Sequence, residues 1–268
     1  MVTILDDLVA GARSEAARRR KKVSPYELEQ RFRPDRRSLI EALRGEGLSI
    51  LAEAKKASPS QGIIREDFDP GAIAEQYAEA GAAGMSVLTE PLQFKGALEY
   101  LAEARMRCPL PLLRKDFIVE EYQLLEARAY GADAVLLIAT VLERAHLRDL
   151  LQAAAELQLE CLVELYDVRE LDRVDFDLVN LLGVNNRDLR TFEVDRTHAP
   201  RVLAHAPEGV VTIAESGLRT AEDLADVFEA GIDAVLIGEA FMRQTDPGQA
   251  LRDLREETER LIDQRADA

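Results

Sequence analysis

The chain has 268 residues, 47% of them apolar, with its 15 glycines and 10 prolines scattered rather than clustered. That composition allows a large core and excludes collagenous and low-complexity classes. A formal charge of −16 excludes polyanion binding over the general surface, because nucleic acid recognition needs clustered positive potential.

The first 47 residues read as an N-terminal helical extension packed on residues 48–268, the whole forming a single domain. The opening stretch MVTILDDLVAGARSE lacks the basic start and apolar centre of a secretory signal. The run Arg18 to Lys22 is the exception to the acidic balance. It reads as the solvated last turn of a first helix, where cations meet the negative end of the helix dipole. Ser24-Pro25 marks a break or a new helix start.

From residue 48 the pattern alternates. Short β-branched and aliphatic runs fall at 49–54, 84–89, 110–115, 134–139, 160–165, 181–185, 210–214 and 234–238, which makes eight candidate strands. Between them lie amphipathic stretches such as PGAIAEQYAEAG and TAEDLADVFEAG, several opening with a cap: Asp69 before Pro70, Thr220 before Glu222 and Asp223. Three segments resemble one another, EAGAAGMSVLTE, AYGADAVLLIAT and EAGIDAVLIGEA, each with a glycine suited to the left-handed position after a helix. These are Gly81, Gly131 and Gly231, spaced 50 and 100 residues apart, multiples of about 25, the size of one βα unit.

Eight strands in strict βα order predict an α/β fold, a (βα)8 TIM barrel with an N-terminal helical extension. No GxGxxG follows a strand, which weighs against a doubly wound sheet. The run AVLLIATVL at 134–142 is too short to cross a bilayer. Cys108 and Cys161 lie far apart without a CxxC pattern, as expected of buried thiols in a reducing compartment. A cytoplasmic chain with no membrane or nucleic acid partner, monomeric or weakly self-associating, is the expectation.

In a parallel barrel, side chains alternate between lumen and helix layer, and function collects at the C-terminal ends of the strands. Parity then places Leu51, Glu53 and Lys55 on one face, Leu113 with Lys115, Leu162 with Glu164, Gly183 with Asn185 and Arg187, and Ile213 with Glu215. Each face runs from apolar to polar toward the same end. Charged groups converging on one axis are costly to desolvate unless they pair or meet a charged ligand, so a shared pocket is predicted. Ser216 and Gly217 after the seventh strand, with Gly238 and Glu239 after the eighth, offer backbone N–H groups to an anion. His146, His198 and His205 lie away from strand ends, and Cys161 opens the fifth strand at the barrel floor, so no metal centre or His-based triad is expected.

With these residues in view, the chain resembles the indole-3-glycerol phosphate synthase family over nearly its whole length. The stretch EAKKASPSQGIIREDFDP is similar to the family's first-strand signature, and LLRKDFI, LVELYD, GVNNRDL, IAESGL and LIGEAFMR follow in order. The resemblance implies ring closure of 1-(2-carboxyphenylamino)-1-deoxyribulose 5-phosphate with loss of carbon dioxide and water, and no cofactor. It implies Lys115 as general acid, its proton loosened by Lys55 or by burial, Glu164 with Glu53 and Lys55 in the later proton transfers, and Asn185 with Arg187 holding the sugar hydroxyls and an anionic group. Arg187 and Glu215 would bind substrate, as would Ser58 and Ser60 on the loop after the first strand. Phe94 and Phe117 would stack on the anthranilate ring. Ser58, Ser216, Gly217, Gly238 and Glu239 would hold the phosphate, the Glu239 carboxylate turned away from it. A different phosphosugar barrel, such as phosphoribosylanthranilate isomerase, would pair Cys with Asp, where strand one offers Glu53 and Lys55. A barrel serving only as a binding subunit predicts scrambled polar strand ends, and here all are present.

Overall fold

The structure, a computed structural model, describes residues 4–45, 47–188 and 193–267. Met1 to Thr3 of the opening stretch and Leu189, the end of GVNNRDL, lie outside them.

Eight strands close into a parallel barrel: β1 (Ser49–Ala54), β2 (Gly84–Leu88), β3 (Leu112–Lys115), β4 (Ala134–Ile138), β5 (Glu160–Leu165), β6 (Leu181–Asn185), β7 (Val211–Glu215) and β8 (Ala234–Ile237), with β1 pairing both β2 and β8. The predicted eight runs match these strands to within about two residues. A short antiparallel ribbon, Ala57–Ser58 against Gly62–Ile63, stands after β1 where a plain loop was expected.

Before the barrel come α1 (Ile4–Arg20), α2 (Pro25–Glu29) and α3 (Leu39–Leu43). The connections carry α4 (Pro70–Glu79), α5 (Glu99–Arg107), α6 (Glu121–Ala129), α7 (Arg144–Glu156), α8 (His198–Leu203), α9 (Ala221–Glu229), α10 (Glu239–Met242) and α11 (Pro247–Ala266). The crossover after β5 holds only a 3-10 segment, Val168–Arg173.

The expected caps are made. Asp69 accepts from the N–H of Ala72, and Thr220 and Asp223 form a reciprocal box, each pair satisfying N–H groups that a helix start leaves open. Ser24 does the same with Glu27 at the start of α2. Gly81, Gly131 and Gly231 have φ of 85°, 91° and 75°, the left-handed end that an L side chain resists.

Strand parity splits the core in two. Leu51, Leu113, Leu136, Leu162, Ile213 and Leu236 fill the lumen, whereas Ile50, Met85, Val87, Val135 and Val163 face the helices. Residues 33–43 close the floor. Glu160, at the start of β5, accepts from Ser38 Oγ (2.6 Å) and from the N–H groups of Leu39 (2.7 Å) and Ile40 (3.0 Å). Leu39 thereby reaches into the lumen, where only the missing Cβ of Gly84 leaves room for it: one built there would lie 2.6 Å from Leu39 Cδ1. α1 spans to the opposite end, where Leu5 and Leu8 join the same lumen cluster.

The basic run at the end of α1 is not wholly solvated. Arg19 crosses to α6 and binds Glu126 at 2.5 and 2.9 Å, because Glu126 is buried and needs a cation. Cys108 is buried, but Cys161 is only half-buried on the outer face of β5; desolvation pushes its thiol up to about 12. Among the described residues no helix is long and apolar enough to cross a membrane.

Candidate active site

The C-terminal ends of the strands open into one cavity. Glu53, Lys55, Lys115, Glu164, Asn185, Arg187 and Glu215 all line it, as do Ser58, Ser60, Phe94, Phe117, Ser216, Gly217, Gly238 and Glu239. Strand parity brings Glu53, Lys115, Glu164, Asn185 and Glu215 there, and the segments that follow the strands bring the other predicted site residues to the same place.

At its floor the ammonium of Lys115 donates to Glu164 Oε2 at 3.0 Å and to Glu215 Oε2. Burial by itself would weaken this ammonium. The carboxylates of Glu215, Glu164 and Glu53 outweigh burial and hold Lys115 above the ordinary lysine value. Glu215 in turn is pushed up to about 8, first by burial and then by the charge of Glu164, against the pull of Lys115. Two buried carboxylates around one ammonium favour keeping a second proton in the cluster.

This corrects the expected pairing of the lysines. Lys55 lies beyond the end of β1 and donates to Glu53 Oε1 at 2.5 Å, so its charge is spent on its own strand instead of loosening Lys115. Asn185 reaches Glu164 Oε1 with Nδ2 at 3.4 Å, while its Oδ1 accepts from the N–H of Arg187 at 3.0 Å, fixing where the chain leaves β6.

The end of β3 is fixed from behind. Arg114, fully buried on the helix side, pairs with Asp116 (2.8 Å) and Glu126 (3.4 Å) and donates to the carbonyl of Gln123 (2.5 Å) and to Thr89 Oγ1 (3.1 Å). Lys115 therefore projects from between two anchored residues, Arg114 and Asp116.

The rim after β7 has a distinct backbone. Ser216 and Gly217 both take positive φ, 68° and 80°, a consecutive left-handed pair lining the cavity. Asn186 pins it, donating from Nδ2 to the carbonyl of Ser216 at 3.1 Å. Ser58 Oγ is buried without a hydrogen-bond partner on the ribbon facing this rim. The Glu239 carboxylate is drawn to Arg243 (3.1 Å) and Arg219 (3.7 Å). Opposite, Phe94 and Phe117 stand 6.4 Å apart at 43°.

A family model described as indole-3-glycerol phosphate synthase matches residues 5–254, from the first turn of α1 into α11. The chain belongs to the indole-3-glycerol phosphate synthase family. It is 52% identical over 269 residues to the indole-3-glycerol phosphate synthase of Salinibacter ruber, covering 99% of this chain and all of that one. It is 45% identical to that of Albidiferax ferrireducens, covering 95% and 98%. Among solved structures, 3-hexulose-6-phosphate synthase from Salmonella typhimurium shares the fold, with a TM-score of 0.63 at 12% identity over 80% of this chain and 99% of that one. As a member of the indole-3-glycerol phosphate synthase family the chain is a lyase of tryptophan biosynthesis.

Several lining residues escaped the sequence reading. Ile4, Leu5 and Leu8 of α1 roof the cavity, Glu90 and Asp116 add carboxylates, and Arg219 stands at the rim. Gly238 has a second use beyond its turn: a Cβ there would lie 2.5 Å from Glu53 Oε1 and 2.9 Å from Glu53 Cβ. Its φ of −132° lies outside the left-handed region, so Gly238→Ala chiefly tests the lack of space. We expect Glu53 to be displaced and kcat to fall by about a hundredfold, since misplacement by an ångström is enough for that. A kcat equal to the parent's would show that Glu53 has slack.

Proposed function

We propose that this chain closes the indole ring of 1-(2-carboxyphenylamino)-1-deoxyribulose 5-phosphate, with Lys115 as general acid. The observation that carries this reading is the Lys115 ammonium held between Glu164 and Glu215 at the floor of a cavity with phenyl groups on one side and the left-handed turn of Ser216 and Gly217 on the other. The substrate has an aromatic ring and a phosphate at its two ends, and the cavity offers each its complement.

As the ring carbon attacks the ketose carbonyl, a C–C bond forms and the carbonyl oxygen takes the Lys115 proton. The carboxylate leaves as carbon dioxide, its electron pair returning to the ring. Glu164 then serves the proton transfers by which the new hydroxyl departs as water, with Glu53 and Asn185 assisting. Lys55, neutralised by Glu53 in the free cavity, is available to the substrate carboxylate once that ligand competes for it. Arg187 and Glu215 hold sugar oxygens, and Ser60 on the ribbon helps enclose them. Ser58, Ser216, Gly217 and the N–H groups of Gly238 and Glu239 bind phosphate; the unpartnered Ser58 hydroxyl supports this. Phe94 and Phe117 flank the anthranilate ring.

The extension and barrel act as one domain, a reading supported by the lumen core to which α1, α3 and the strands all contribute. Self-repulsion at −16 favours a monomer or weak homo-oligomer, and the two free cysteines suit the cytoplasm. The test is product formation: purified protein with this substrate should generate indole fluorescence without any added cofactor. Absence of the signal, with the substrate verified intact, rejects the assignment.

A further inference from the structure

The turn that carries Phe94 is built around a carboxylate. Glu90 follows Thr89 beyond the end of β2, is 3% exposed, and lines the same cavity as Phe94. Its Oε1 accepts from the N–H of Leu92 at 2.8 Å, and its Oε2 from the N–H groups of Gln93 (2.7 Å) and Phe94 (2.9 Å). The Glu90 carbonyl closes the turn by accepting from the N–H of Gly96 at 2.8 Å.

The rest of the turn is demanding. Lys95 holds φ of 55°, a region that L side chains resist, and its ammonium donates to the carbonyl of Leu92 at 3.0 Å. A Cβ on Gly96 would lie 2.7 Å from the carbonyl carbons of Leu88 and Thr89. Among the described residues no cation pairs with Glu90, so its charge is met by three backbone dipoles. A carboxylate buried on those terms is costly unless every one of them is in place. The turn and the carboxylate therefore require each other.

We propose that Glu90 is a positioning residue: by ordering residues 92–94 it fixes Phe94 against Phe117 and so sets affinity for the aromatic half of the substrate. Both Glu90 oxygens are directed at its own turn, so it takes no part in the proton transfers. The inference rests on the placement of the anthranilate ring between the two phenyl groups.

Steady-state kinetics of E90A, E90Q, F94A and the E90A/F94A pair test it, with amide hydrogen exchange at 92–94. E90A should raise KM about tenfold with kcat within about twofold of the parent, and the 92–94 amides should exchange faster. E90Q should raise KM only about threefold, because its one remaining carbonyl oxygen can keep both bonds that Oε2 makes. The double variant should be no worse than F94A. A parental KM in E90A beside a raised KM in F94A rejects the role of Glu90 alone. A parental KM in F94A rejects the ring placement, and with it this route to affinity. A fall in kcat at constant KM would place Glu90 in the chemistry and overturn the proposal. Should E90A not fold, E90Q decides by the same criteria: a parental KM rejects the role, a raised KM at parental kcat supports it.

Discussion

Lys115→Ala is expected to lower kcat by at least about a thousandfold while the far-ultraviolet circular dichroism stays that of the parent. The size follows from what is removed. The ammonium is the proposed acid, aimed into the cavity from the floor, and among the cavity-lining residues the other lysine, Lys55, is engaged by Glu53 at 2.5 Å. Without Lys115, Glu164 and Glu215 face each other with no cation between them, and one keeps a proton instead. Removing one member of a buried pair costs about 3–5 kcal/mol in a closed interior. Here the cluster opens on a cavity that water can enter, so the loss of stability should be smaller. Lys115→Met keeps most of the side-chain length and removes the charge and its protons, so it should match the alanine variant in kcat. Activity within tenfold of the parent in either variant would mean that another group delivers the proton.

Period-two alternation made the polar strand ends legible, because a β-strand cannot turn alternate side chains to the same layer as their neighbours. Glu53, Glu164, Asn185 and Glu215 follow an inward leucine, glycine or isoleucine by two positions, and all reach the cavity. Parity states which face a residue occupies, but not its depth or its angle about the axis. The pairing of Lys115 with Glu164 and Glu215, and of Lys55 with Glu53, depends on both.

The glycines teach the same lesson. Gly183 reads as a small inward residue on β6, yet a Cβ there would strike the Glu215 carboxylate arriving from β7. Nothing local records a neighbour 32 positions away in the chain. The helical extension packed on the barrel was legible, but not that Ile4, Leu5 and Leu8 would roof this cavity, since an apolar stripe does not say which surface it will cover. Glu90 was hidden for another reason: three of its partners are backbone N–H groups, which carry no residue type.

Glu164→Gln should separate the steps that Lys115→Ala abolishes together. Glutamine keeps the size and an acceptor for Lys115 but carries neither the charge nor a transferable proton, so kcat for product should fall by about 10²- to 10⁴-fold. The sign of the accompanying pH effect follows from the cluster. Burial pulls Lys115 down and the charges of Glu215, Glu164 and Glu53 push it up; with Glu164 neutral, Lys115 must lose its proton at lower pH than in the parent. The alkaline limb of the kcat/KM profile should therefore move down in pH, and a shift upward would contradict the proposed arrangement. Single turnovers with substrate labelled in the carboxylate discriminate further. If Lys115 serves ring closure and Glu164 the later loss of water, the glutamine variant releases labelled carbon dioxide faster than indole fluorescence appears, whereas Lys115→Ala releases neither. Carbon dioxide and fluorescence rising together in Glu164→Gln, at a rate slowed equally for both, would move Glu164 back to the first step.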